Sequence, residues 1–188
     1  MRLICFASVA ALALAAGTAT ADEISNPEFE KWSTFKKGAS ITMKTTSTFG
    51  KNVSEVTERY TLVEVGPDKL VLEGTNVSKF NGAVSRAPSA KADVPKTITV
   101  PPGGAGKQKL NGGRPEGTIE EGTETLKVGG IEIKTRWYKY RLELGENKIE
   151  GKMWTSADVP GGLVKLESTT SGAVPVTVQM ELVEFKQL

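Results

Sequence analysis

The chain has 188 residues, 24 Lys and Arg against 22 Asp and Glu, a formal net charge of +2, no histidine and one cysteine, Cys5. Without histidine, Ser-His and Cys-His nucleophile pairs and His-ligated metal centres are excluded. The near balance of charge, with no basic block standing apart from acids, argues against a nucleic-acid partner.

Residues 1–21, MRLICFASVAALALAAGTATA, place Arg2 before an apolar run from Leu3 to Ala16 and end on Ala19-Thr20-Ala21. This order is that of a secretory signal peptide, and the run is too short to anchor in a bilayer. Cys5 precedes most of the run, which argues against an acylated lipoprotein start. The expected mature chain begins at Asp22, and with Arg2 removed its net charge falls from +2 to +1. The predicted protein is secreted or periplasmic, with no integral membrane segment after cleavage. It is a single β domain over 22–188 that relies on apolar burial without disulfides.

One segment has a helical pattern: NPEFEKWSTF, 26–35, with Asn26 as cap, Pro27 in the first turn, and Phe29, Trp32 and Phe35 on one side. From there the chain reads as strands. ASITMKTTSTFG alternates with Ile41, Met43, Thr45, Ser47 and Phe49 on one face. SEVTERYTLVEV carries Val56, Tyr60 and Leu62 on one parity, turns at Gly66-Pro67-Asp68, and resumes with Leu70 and Leu72. A further strand covers Gly74 to Phe80. Residues 86–117 are rich in Pro, Gly and Lys and predict a long surface loop, with Ile98 to Val100 as an edge-strand island.

The last third predicts a meander. Gly129-Gly130 is a tight-turn pair. The strand after it shifts its apolar parity from Ile131 and Ile133 to Tyr138, Tyr140, Leu142 and Leu144, which means either a bulge or burial on both faces. Gly145-Glu146-Asn147 makes the next turn, and VPVTVQMELVEF closes the chain with Val174, Val176, Val178, Met180 and Leu182 in alternation.

Candidate chemistry is sparse. Asp22, Asp68, Asp93 and Asp158 lie in or beside turns, where short carboxylates bond to the backbone. PPGGAGK, 101–107, lacks the Gly-Lys-Ser/Thr ending of a phosphate-binding loop. The Asn-Val-Ser triplets at Asn52 and Asn76 match the glycosylation acceptor pattern; in a bacterial source, which the leader and the lack of disulfides favour, they are chance matches. In RWYKYR the alternation sets Trp137 with Lys139 and Arg141, and Tyr138 and Tyr140 with Leu142. In WTSADVPGGLVKLES, 154–168, Asp158, Pro160, Gly161 and Gly162 predict a structural corner between two strands, with the glycines supplying positive φ. No catalytic residue, metal site or cofactor is expected.

The set GTETLKVGG-IEIK, KMWTSADVPGGLVKLES and VTVQMELVEF resembles a group of uncharacterised exported bacterial proteins with a "vWxSxdVPgGlVK" segment. That segment is in turn similar to the strand-corner-strand of LolA/LolB-like periplasmic lipoprotein carriers. The resemblance spans about 117–185 and, more loosely, 36–80. It implies one strongly curved antiparallel sheet, an open or half barrel; with the strand and helix patterns above, the expected fold is all-β, a sheet of about eight to ten strands with a short N-terminal helix. The concave face would hold an apolar or acyl ligand, and no established catalytic residue is carried over. The expected function is a non-enzymatic cell-envelope binding module, with Met43, Tyr60, Trp137, Met153, Trp154 and Met180 as the ligand-binding apolar face. The alternative is a structural or protein-interaction protein of the envelope. A carboxylate-dependent hydrolase comes last, because no carboxylate sits in an apolar setting that would raise its pKa.

Overall fold

Alternating apolar and polar residues with glycine-rich turns make strands. The computed structural model describes residues 22–100, 113–172 and 174–188, and among these there are eleven strands and one helix. Nine strands form one open antiparallel sheet in the order β5-β4-β3-β2-β11-β10-β9-β8-β7, so β5 and β7 are its edges. These are β2 (Ser40–Phe49), β3 (Asn52–Val65), β4 (Lys69–Phe80), β5 (Ala83–Pro95), β7 (Thr118–Val128), β8 (Ile131–Leu144), β9 (Asn147–Thr155), β10 (Leu163–Ser171) and β11 (Val176–Lys186). A separate ribbon pairs β1 (Asp22–Ser25) with β6 (Thr97–Val100). No helix among the described residues is long and apolar enough to cross a membrane. The expected signal peptide, and PPGGAGK at 101–107, lie outside the described residues.

The helix α1 spans Pro27–Ser33. Seven residues are too few to hold a helix by propensity alone, and three devices fix it. The Asn26 side chain accepts from the Glu28 N–H at 3.0 Å and donates to the Pro95 carbonyl at 2.8 Å. Pro27 occupies the first turn. Phe29 and Trp32 are buried, and Trp32 is only 2% exposed.

The expected loop over 86–117 is corrected in its first half. Residues 83–95 form β5, paired with β4 along its length, and the Ile98–Val100 island belongs to β6, which pairs with β1. Only Val94 of β5 is buried, so the strand shows no apolar alternation to read. Its Pro88 sits with Ser89 opposite Thr75, in a bulge between the Gly74–Ala90 and Asn76–Ala87 pairs. An edge strand tolerates proline there because that N–H need not join the ladder.

The parity shift of β8 resolves as burial on both faces. Its pairing with β9 runs unbroken from Arg136 to Leu144, with Ile133 and Thr135 buried on one face and Tyr138 on the other. Gly129 and Gly130 turn the β7–β8 hairpin with φ of 56° and 90°. Strand glycines have a second use: Gly74, Gly122 and Gly151 each pair directly with an aromatic, Tyr60, Trp137 and Tyr140 respectively. A Cβ at Gly122 would lie 2.7 Å from the Trp137 ring, so each ring lies over the bare backbone and restores the packing a glycine forfeits.

Candidate functional site

Directly paired residues of an antiparallel sheet project to the same face, and the register therefore sorts the expected ligand-binding residues. Met43 and Ile41 of β2 share a face with Leu182 and Phe185 of β11 and with Glu58 and Tyr60 of β3. Met180 pairs with Leu166, Leu166 with Met153, and Met153 with Tyr138, in one row across four strands. This face carries α1. Trp137 and Trp154 pair with each other one residue out of step with that row, and so project from the opposite face. The single apolar face expected to hold all six residues is corrected to four on one side and two on the other.

The four converge. Met43, Tyr60, Met153 and Met180 line a trough of about 460 Å3 beneath α1, with Trp32, Ile41, Leu72, Leu163 and Gly161 completing its apolar lining. Its polar members are Glu28, Lys31, Glu58 and Thr155. A hollow of about 690 Å3 beside Asp158 is larger but is lined by Thr, Lys, Arg, Glu and Ser side chains with Ala157 as the lone aliphatic. The smaller, apolar trough is the better candidate for a small-molecule site, since such sites are mostly apolar with a few placed polar groups. The chain contains four methionines including Met1, so every later one lines this trough.

Beyond the trough the same face of β9, β10 and β11 stays apolar, passing from Leu163, Met153 and Met180 to Leu166, Val178, Ile149 and Val176. Those last four are half-buried rather than sealed. At the far end of this face Phe49, paired with Val176, stacks on Phe80 with ring centroids 6.1 Å apart.

On the β3 flank the trough is polar. The Glu58 carboxylate accepts from Asn76 Nδ2 at 3.3 Å, and the Tyr60 hydroxyl is hydrogen-bonded to it. Burial of Tyr60, then the charge of Glu58 and that hydrogen bond, then Glu28, push the phenol up to about 12. Asn76 is thus a half-buried hydrogen-bond donor, whereas Asn52 is exposed at the start of β3, where Asn81 donates to it at 3.3 Å.

The corner 156–162 forms the floor against which α1 rests. Ser156 N–H donates to the Gly162 carbonyl at 2.9 Å, and Gly162 N–H to the Val159 carbonyl at 2.8 Å. Gly161 and Gly162 have φ of 74° and 76°, and the indole nitrogen of Trp32 lies 3.1 Å from where a Gly161 Cβ would be. Val159 and Pro160 are fully buried. The turn bond expected of Asp158 is made instead by Ser156, whose hydroxyl accepts from the Asp158 N–H at 3.3 Å, while the Asp158 side chain is exposed. Gln187 Nε2 donates to the Asp158 carbonyl and ties the corner to the chain end.

The tryptophan pair on the other face is knitted shut. Trp154 Nε1 and Lys152 Nζ both donate to Glu124 Oε1, the second at 3.0 Å. Lys152 Nζ sits 4.3 Å from the Trp137 ring centroid and 4.5 Å from that of Trp154, with Lys165 Nζ 5.0 Å from the latter. The hydrogen bond from Trp154, then that from Lys152, hold the Glu124 carboxyl below the usual carboxylate range.

The helical pattern over 26–35 includes Trp32 but does not connect it to the methionines, and nothing in the sequence patterns singles out Lys31, Glu58 or Leu163. Glu58 does share the parity of Val56 and Tyr60, which makes its face legible. Among the described residues no group of three or more acidic side chains converges as a metal cage. No protein-family model matches the chain, and no curated protein matches it.

Proposed function

We propose that the protein is an exported, non-enzymatic binding module of the cell envelope that holds an acyl chain or another elongated apolar ligand on a concave sheet face, in the manner of LolA-like carriers. The observation that carries this reading is the convergence of Met43, Met153 and Met180 with Trp32 on one trough, with half-buried apolar residues following on the same sheet face. Unbranched, polarizable methionine side chains adapt to a flexible apolar guest better than branched ones. Six residues separate Met43 from Phe49, about 20 Å at 3.4 Å per residue. That is enough for a chain that fills one leaflet of a bilayer, roughly 15 Å of hydrocarbon.

Curvature has its own support. A Cβ at Gly129, in the β7–β8 turn, would lie 3.8 Å from the Val183 carbonyl oxygen of β11. In a flat sheet, four inter-strand steps of about 4.8 Å would hold β7 and β11 roughly 19 Å apart. An approach this close favours a sheet that coils at this end.

The test is native mass spectrometry of the full-length protein, expressed with its leader and purified from the envelope without detergent. The expected result is a population heavier than the apoprotein that releases lipid on denaturation. A bare mass, together with failure to displace a lipophilic dye, contradicts the reading.

A further inference from the structure

The polar groups around the trough differ in what they already bond, and this difference selects a ligand class. On the β3 flank, Glu58 is engaged by Asn76 at 3.3 Å and by the Tyr60 hydroxyl, and a second anion brought there would meet its charge directly. Lys31, on the helix side, has no such partner. It is half-buried, and among the described residues it makes no ion pair with any carboxylate. Its stem lies along the corner, where a Cβ at Gly162 would meet Cδ at 3.2 Å and Cε at 3.5 Å. The residue lines both the trough and an adjoining hollow of about 300 Å3 beside Ser156 and Val159. The ammonium lies 3.9 Å from where a Cβ on Gly113 would be, while the β9–β11 side of the trough, Met153, Leu163 and Met180, is apolar.

We infer that the ligand is an amphiphile with one acidic head, a carboxylate or phosphate, and that Lys31 meets this head at the corner while the chain runs along β9 to β11 toward Val176 and Phe49. This rests on the trough reading proposed above and adds to it a polarity and a head-group charge. Of the described charged residues lining the trough, Glu28 and Glu58 are acidic and Lys31 is the one cation, so an acidic head is placed at Lys31 and is repelled on the β3 flank, where Glu58 has no cation beside it in the lining. A half-buried ammonium that gains a charged hydrogen-bond acceptor contributes on the order of tenfold in affinity.

The experiment compares three probes of equal chain length, hexadecanoate, hexadecanol and hexadecyltrimethylammonium, bound to delipidated full chain at mildly alkaline pH, where the carboxylate is ionised. Lys31→Gln, Lys31→Glu and Lys31→Arg are measured alongside, each with a thermal melt to establish that it folds. The native protein should prefer hexadecanoate to hexadecanol by about tenfold. Lys31→Gln should abolish the preference, Lys31→Arg should keep it, and Lys31→Glu should shift it toward the ammonium probe. Equal affinity for hexadecanoate and hexadecanol in the native protein, unchanged in Lys31→Gln, overturns the head-group assignment and leaves the trough standing. No binding of any probe overturns both.

Discussion

The two faces of the sheet use similar side chains to opposite ends. On the face under α1, Met43, Met153, Met180 and Trp32 surround unfilled space. On the other face Trp137 and Trp154 lie flush with Lys152, Lys165 and Glu124, closed by hydrogen bonds and cation–π contacts. Large apolar residues form a site only where their neighbours leave them unsaturated. A tryptophan whose N–H is already bonded, and whose face is already covered by an ammonium, has little left to offer a guest.

The largest effect that can separate the faces is expected from Trp32→Ala. It removes the roof of the trough and a side chain only 2% exposed, and should cost about 3–5 kcal/mol in urea unfolding along with ligand retention. Next comes Trp154→Phe, which strips Glu124 of one donor and should cost about 1–2 kcal/mol while leaving lipid binding intact. Loss of binding in this variant would erase the distinction between the faces. The same change should alter acid behaviour, because Glu124 is held low by Trp154 and then Lys152. A depressed carboxylate contributes stability that is fully present above its unfolded pKa of about 4.3 and is lost as pH falls through the lowered folded value. The half-exposed position keeps this under about 1 kcal/mol, and Trp154→Phe should reduce it in acid-titration melts.

A smaller effect is expected at alkaline pH. Tyr60 is pushed up to about 12, above an unfolded value of about 10. Its contribution is whole below pH 10 and fades as pH rises through the folded value, so Tyr60→Phe should flatten alkaline unfolding and delete the latest phenolate step in an absorbance titration. The smallest effect belongs to Asp158→Asn. With its side chain exposed and the turn capped by Ser156, the change should stay within about 0.5 kcal/mol and leave ligand binding unaltered.

Much of the fold was legible because local chemistry dictated it. Asn26-Pro27 announced the helix start, Gly129-Gly130 and Gly145-Glu146 announced turns, and the alternation of Val176, Val178, Met180 and Leu182 announced β11. Strand β5 was not legible, since an edge strand exposed on both faces has no apolar period, and its prolines suggest a loop until the bulge that houses Pro88 is seen. The candidate site was half legible. Parity along each strand identifies which residues share a face within it, but whether Met153 or Trp154 faces Met180 depends on the register between β9, β10 and β11. That register is set by the 156–162 corner and by the extra residue Val164 between Leu163 and Lys165, and a one-residue slip exchanges the two faces.

The claim that the α1 face alone holds the ligand is tested most directly by NMR of the delipidated protein carrying labelled methionine methyls and indole N–H groups, titrated with hexadecanoate. The methyls of Met43, Met153 and Met180 and the indole of Trp32 should shift together and saturate, while the indoles of Trp137 and Trp154 stay in place. Methyls that do not move, or shifts concentrated at Trp137 and Trp154, would contradict it.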